Sequence, residues 1–341
     1  MNFKGFDAII DARTPAEYAL DHIPGAISAP VLGDAERAEV GTLYKQVSPF
    51  EARKLGAALV AKNVSHHIET LFAGKEPNWK PLVYCWRGGK RSGAMAHILR
   101  EVGWQASTLE GGYKAYRRWV VDQLSVLPLN FHFVVIHGPT GSGKSRLLRA
   151  LAGSGAQVLD LEELAAHRGS VLGGLPGQPQ PSQKWFESQL LHRLLELRNP
   201  VFVEGESKKI GELQVPEALM ARMRASSCVV LEAAVDTRVA LLLDEYRHFL
   251  RDAAALGAQL DCLAGLHGRG KVAEWKALAA RGEWSEFVAR LLVEHYDPAY
   301  RRSSQRNFVQ LTGAPAVRIA AADEAAFSAA ARALLEESVA A

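Results

Sequence analysis

Cysteine is scarce in this chain: Cys85, Cys228 and Cys262 are the only three in 341 residues. An odd number at wide spacing makes neither a disulfide framework nor a zinc site, and it points to a reducing, cytoplasmic setting. Long apolar runs are missing too. Nothing approaches the roughly 20 residues a membrane-spanning helix needs, so no membrane association is expected. Met1 to Asp7 lead straight into a strand-like run, without the pattern of a signal peptide. Charge of either sign is nearly balanced, 40 Lys and Arg against 37 Asp and Glu, for a net +3. That permits nucleic-acid binding without requiring it. No repeat at solenoid spacing occurs. A 48 % hydrophobic fraction over this length fits two ordinary cores rather than one.

What the chain does have is an alternation of short β-rich runs with helical stretches, which implies parallel sheets covered on both faces. Ala8 to Asp11 reads as a strand, Pro15 to Leu20 as a short helix, and Glu51 to Lys62 as a helix with Leu55, Ala58 and Leu59 on one face. Pro81 to Tyr84 is a second strand. Ser92 to Val102 is a helix with Met95, Ile98, Leu99 and Val102 on its apolar side, and Ala106 to Leu109 is a strand closed by Gly111-Gly112. The pattern breaks around Leu124 to Asn130, which sets domains at 1–127 and 128–341. The second domain opens with a strand at Phe131 to Ile136 and continues through Gln157–Asp160, Val201–Glu204 and Cys228–Leu231. Gly169 to Gln183, dense in Gly, Pro, Gln and Ser, reads as a mobile functional loop or a disordered one. Ala320 to Ala341 reads as helical, with Phe327, Leu334 and Leu335 as its contacts.

Two phosphate-sized anion cradles stand out. The first is Cys85-Trp86-Arg87-Gly88-Gly89-Lys90-Arg91-Ser92, a cysteine opening a Gly-rich loop that runs into a helix. Its amides, the positive helix end and the cations Arg87, Lys90 and Arg91 all favour a thiolate over a thiol. The spacing Cys-x5-Arg suits a grip on a tetrahedral oxyanion. The second is Gly138-Pro139-Thr140-Gly141-Ser142-Gly143-Lys144-Ser145, a full match to G-x-x-x-x-G-K-[ST] between a strand and a helix. Here the amides and Lys144 neutralise a diphosphate, and the Ser145 hydroxyl can hold Mg²⁺. The strand at Val201 ends in Glu204 rather than Asp, so Asp160, Glu204 and Glu206 are the carboxylates available to assist.

With these residues in place, the first domain resembles the rhodanese family over about residues 5–122. The resemblance rests on Ile10-Asp11-Ala12-Arg13 with Glu17-Tyr18, Asp21-His22-Ile23-Pro24-Gly25-Ala26, Cys85, and Leu109-Glu110-Gly111-Gly112. Asp11 and Arg13 are candidate supports of the cysteine. The loop is one residue longer than in sulfurtransferases and looks like that of rhodanese-related phosphatases, which favours a phosphate-bearing donor. The order rhodanese then P-loop resembles the bacterial tRNA 2-selenouridine synthases. Further motifs shared with them are Glu39 to Lys45, Ser48 to Arg53, Tyr84 to Gly89, His167-Arg168-Gly169-Ser170 and Glu294-His295-Tyr296-Asp297-Pro298. Their usual acidic residue after the strand glutamate is Gly205 here.

That resemblance implies an α/β protein, a rhodanese-like parallel-sheet domain followed by a P-loop NTPase-like domain with a C-terminal helical region. It implies S-geranylation of wobble 2-thiouridine in tRNA by geranyl diphosphate, then selenium transfer from selenophosphate. The expected partners are tRNA and the synthetase that makes selenophosphate. No tightly bound cofactor is expected beyond Mg²⁺. Arg168 and the loop after it are candidates for closing over a substrate. Candidate RNA-phosphate contacts are Arg117-Arg118 with Trp119, Lys208-Lys209, Arg247 to Arg251 and Arg301-Arg302, since no standard RNA-binding module is present. The rival reading is a rhodanese-related phosphatase fused to an ATP-dependent kinase.

Overall fold

The computed structural model describes residues 1–307, 309–311 and 313–340. The chain forms two compact units, Met1–Leu124 with Pro181–His192, and Ser125–Gln180 with Arg193–Ala341. Among the described residues no helix is long and apolar enough to cross a membrane.

The first unit holds a parallel sheet of β1 (Ala8–Asp11), β2 (Ile27–Ser28), β3 (Pro81–Tyr84) and β4 (Ser107–Thr108), in the order β2-β1-β3-β4. Local chemistry sets the elements. Thr14 and Glu17 form a capping box and Pro15 opens the helix Pro15–Leu20. Ser48 accepts from the Phe50 and Glu51 amides to start the long helix Pro49–Glu69. That helix runs past Lys62, and its buried line is Ala52, Val60, Val64 and His67. Leu59 packs on the core, but Leu55 is only half-buried and Ala58 is exposed. The C-terminal half, which the shorter expected helix left out, decides which stripe faces the sheet. The helix after the cysteine loop is Lys90–Glu101. Met95, Ala96 and Leu99 are buried there, whereas Val102 is exposed beyond its end.

The second unit has a five-stranded parallel sheet. Its strands are β5 (Phe133–His137), β6 (Gln157–Leu159), β7 (Val201–Glu204), β10 (Ser227–Ala233) and β11 (Ala316–Ile319), in the order β11-β10-β5-β7-β6. A small antiparallel hairpin, β8 (Lys209–Ile210) with β9 (Leu213–Gln214), stands apart. The P-loop strand β5 lies in the middle of the sheet, so both its edges are paired, with β10 and β7. Ile136, Leu147, Leu151, Phe202 and Leu231 build the core on one side, joined by Phe327 and Leu334 of the helix Glu324–Ala340. A separate helical cluster centres on the fully buried Trp275, with Leu260, Phe287 and Leu292. Within it Leu292–Tyr296 forms one π-helical turn, the wider coil often found beside functional residues. The Gly- and Pro-rich segment after His167 is irregular but tied down. His167 bridges Gly174, Leu175 bridges Gln178, and the Gln180 amide donates to the Ala165 and Ile210 carbonyls.

Candidate active sites

In the first unit β3 is buried along its whole length and ends at Tyr84, which leaves Cys85 at the strand's C-terminal end and only 3 % exposed. The Ser92 hydroxyl lies 3.1 Å from Sγ, a distance at which it donates to the sulfur. Burial alone would push the thiol pKa up. The Ser92 hydroxyl and the backbone amides of Ser92, Gly89 and Arg87 outweigh it, so Cys85 titrates below the ordinary thiol range. The loop cations act differently from the expectation. Arg91 is turned onto Glu17, with Nη1 2.6 Å from Oε2. Arg87 and Lys90 point to solvent. The thiolate is held mainly by dipoles aimed at it.

Gly111-Gly112 does more than close a strand. The Tyr113 and Lys114 amides donate to the Cys85 and Trp86 carbonyls at 2.8 and 2.9 Å. Gly112 has φ +56°, and a Cβ there would fall 2.2 Å from the Cys85 carbonyl oxygen. The start of the next helix is therefore the floor of the cysteine loop, and only glycine fits. Gly88 and Trp86 complete the rim, with the Trp86 ring 5.4 Å from that of Tyr113. Below, Asp11 and Arg13 form a buried pair at 2.6 Å. The Tyr84 hydroxyl donates to Asp11 at 2.7 Å and Arg13 to the Asp21 carbonyl at 2.6 Å. Arg13 also lies 3.9 Å above the Tyr113 ring, whose hydroxyl donates to Asp21. These two residues brace the strand ends.

In the second unit the P-loop runs from Gly138 to Ser145, with Gly141 and Gly143 at positive φ and the helix Lys144–Gly153 following. Pro139 and the buried Ser142 lie within the turn, whose Ser142 amide donates to the Pro139 carbonyl. Lys144 Nζ reaches back to donate to the Gly138 carbonyl at 3.1 Å. Ser145 Oγ donates to Glu162 at 2.8 Å, a partner that sequence reasoning missed. The Glu162 amide donates to Glu204 at 2.8 Å, and Glu206 hydrogen-bonds Glu162. Asp160 serves as a helix cap, accepting from the Glu163 amide at 2.8 Å. Burial raises all four carboxyls, and their mutual repulsion adds to it. Glu162 rises to about 7 and Asp160 to about 6, while Glu204 lies well above the usual range and Glu206 is raised.

Among the described residues no three His, Cys, Asp or Glu side chains converge as a metal site. Mg²⁺ needs fewer protein ligands, typically one or two carboxylates plus water and substrate phosphates. Ser145 with Glu162, in a pocket of crowded carboxyls, fits that pattern. His137 is buried and pulled down to about 4 by burial and by Lys144, so it is neutral near pH 7. Its ring fills the space beside Gly205, where any side chain would meet it at 2.4 Å.

The motif His167-Arg168-Gly169-Ser170 lies against this cluster. A Cβ on Gly169 would come within 2.7 Å of both Glu162 and Glu206. Arg168 stacks 4.5 Å from the Tyr246 ring centroid, and its Nη1 is buried without a hydrogen-bond partner among the described residues. The motif around Glu294 also gains a role. Asp297 pairs with Arg238 at 2.6 Å, and the Arg238 guanidinium donates twice to the Thr140 carbonyl, at 2.8 and 2.9 Å. A partly buried ion pair, its arginine enclosed, thus holds the crown of the P-loop. Asp297→Asn would leave Arg238, 3 % exposed, short of its counter-charge. It is expected to cost about 3 kcal/mol, read as a lower urea midpoint, and to weaken diphosphate binding.

Of the candidate RNA contacts, several already hold partners. Arg117 pairs with Glu187, Lys208 with Glu217, Lys209 with Glu212 and Arg247 with Asp244. Arg118, Arg301 and Arg302 are exposed. The exposed pairs among these are weak enough to exchange for phosphate.

The chain matches the family model described as tRNA 2-selenouridine synthase AAA domain over residues 131–266, and the rhodanese-like domain model over residues 1–118. A tRNA 2-selenouridine synthase from Nitrosomonas europaea is 37 % identical over 244 residues, covering 70 % of this chain and 63 % of that protein. Proteins of the same description from Sulfurovum sp. and Shewanella halifaxensis are each 32 % identical, over 331 and 329 residues. These cover 88 % and 86 % of this chain, and 89 % and 87 % of theirs. The match thus spans under two thirds of the Nitrosomonas protein and nearly nine tenths of the other two.

Proposed function

This chain belongs to the tRNA 2-selenouridine synthase family, and from that premise we propose that it converts wobble 2-thiouridine in tRNA to 2-selenouridine in two steps. In the first, the P-loop holds geranyl diphosphate. The loop amides and Lys144 neutralise the leaving diphosphate as the allylic C–O bond breaks and the thiouridine sulfur takes the geranyl carbon. Ser145 and Glu162 would hold Mg²⁺, which supplies further positive charge to the diphosphate oxygens. Arg168, whose buried Nη1 holds no partner among the described residues, would add a cation to them.

In the second step selenophosphate occupies the Cys85 loop. Selenium in selenophosphate and sulfur in a thiolate are both fully reduced, so a perselenide on Cys85 would require an external oxidant. Attack at phosphorus requires none. The Cys85 thiolate forms an S–P bond, the Se–P bond breaks, and selenium leaves with its electron pair as hydroselenide. Selenium then adds at C2 of the geranylated uridine and expels geranylthiolate, while water hydrolyses the phosphocysteine to phosphate. The observation that carries this reading is the Ser92 hydroxyl on Sγ. A donor there stabilises the thiolate before attack and again when it departs from phosphorus.

Intact-protein mass spectrometry after mixing with selenophosphate is the test. One phosphoryl group on Cys85, accumulating in Ser92→Ala, is expected; selenium on Cys85 would show that attack at phosphorus is wrong. The same substitution removes a donor that favours the charged sulfur. The Cys85 pKa therefore rises, and the acidic limb of the kcat/KM profile for selenium transfer moves to higher pH.

A further inference from the structure

Resting on the allylic-diphosphate reading of the P-loop, we propose that the ligand's hydrocarbon chain lies in an apolar cavity of the second unit that Thr140 helps to line. The cavity as it stands measures about 60 Å³, so its side chains must part to admit the chain. Polar groups line part of it: Thr140 belongs to the P-loop, and Ser170, from the motif beside the carboxylates, lies 3.4 Å from the Tyr246 hydroxyl. The rest of the wall is almost wholly carbon, with Leu243, Phe249, Leu256, Trp284, Phe287 and Val288 among its residues.

Three observations select the occupant. The cavity is continuous with the diphosphate cradle, because Thr140 belongs to both. The lining sets two polar groups, Thr140 and Ser170, beside a wall of hydrocarbon, which matches a charged head on an apolar tail. A nucleotide base would find no hydrogen-bond partners along such a wall, and those are what orient a base in its pocket. An apolar space left unfilled in a close-packed interior is costly to keep. Trp284 and Val288 line the cavity, so their bulk helps set how much chain it accepts.

Titration calorimetry of the full chain with Mg²⁺ and inorganic, dimethylallyl, geranyl or farnesyl diphosphate tests this. Burial is worth roughly fourfold in affinity per methylene, so geranyl diphosphate is expected to bind at least about 100-fold tighter than inorganic diphosphate. Val288→Trp should remove that gain and leave inorganic diphosphate binding as it was. Trp284→Ala should shift the preference towards farnesyl diphosphate. Equal wild-type affinity for inorganic and geranyl diphosphate would overturn the cavity assignment, as would an undiminished geranyl preference in both variants. Failure of every diphosphate to bind would overturn the P-loop reading beneath it, and this proposal with it.

Discussion

Cys85→Ala is expected to abolish selenium incorporation while S-geranylthiouridine accumulates to the level set by the thiolated tRNA supplied. Removing a nucleophile that attacks phosphorus should lower the rate of the second step by at least about 10³-fold. The first step should proceed at its normal rate, because the P-loop chemistry uses no atom of the cysteine loop. Folding is not the concern. Alanine is smaller than cysteine, and the loop is held by the Tyr113 and Lys114 amides on backbone carbonyls that the substitution keeps. Cys85→Ser is expected to behave the same way, since a hydroxyl in this dipole field remains protonated. Nucleoside mass spectrometry of the digested tRNA separates the two steps directly. Equal loss of geranylation and selenation would mean that the cysteine serves the whole reaction, contrary to the assignment.

The converse is expected of Lys144→Ala. Its ammonium already lies within the loop, 3.1 Å from the Gly138 carbonyl, where it would face the leaving diphosphate. Its loss should lower kcat/KM for geranylation by about 10²- to 10³-fold, in line with the removal of one charged stabiliser of a developing anion. When S-geranylated tRNA is supplied as substrate, the same variant should exchange sulfur for selenium at the wild-type rate. That bypass is the informative arm, because a variant that had merely lost its fold would fail it.

Both cradles were legible in the sequence because each is one contiguous run in which residue type and spacing state the chemistry. The alternating parallel strands were legible for a similar reason: buried runs such as Pro81–Tyr84 and Val201–Glu204 are short, apolar and bounded. What escaped were contacts that join distant segments. Ser145 meets Glu162, Arg238 reaches back to Thr140 while held by Asp297, and Gly112 underlies Cys85. No local pattern encodes such pairs, although the motif containing Asp297 was visible without its purpose. Asp160 reads from sequence as a metal option at a strand end, yet its carboxylate caps the next helix. Arg91 reads as a cation for the thiolate, yet Glu17 claims it. The strand Ala316–Ile319 and the hairpin at Lys209–Gln214 are too short to announce themselves by periodicity, and pairing with neighbours makes them.

The most direct measurement is mass spectrometry of nucleosides from 2-thiolated tRNA incubated with the wild-type protein under three conditions: geranyl diphosphate alone, selenophosphate alone, and both together. The account predicts geranylthiouridine in the first, unchanged thiouridine in the second and selenouridine in the third. Unmodified thiouridine in all three, with ATP hydrolysed by the same preparation and lost in Lys144→Ala, would contradict it and favour a phosphatase joined to a kinase.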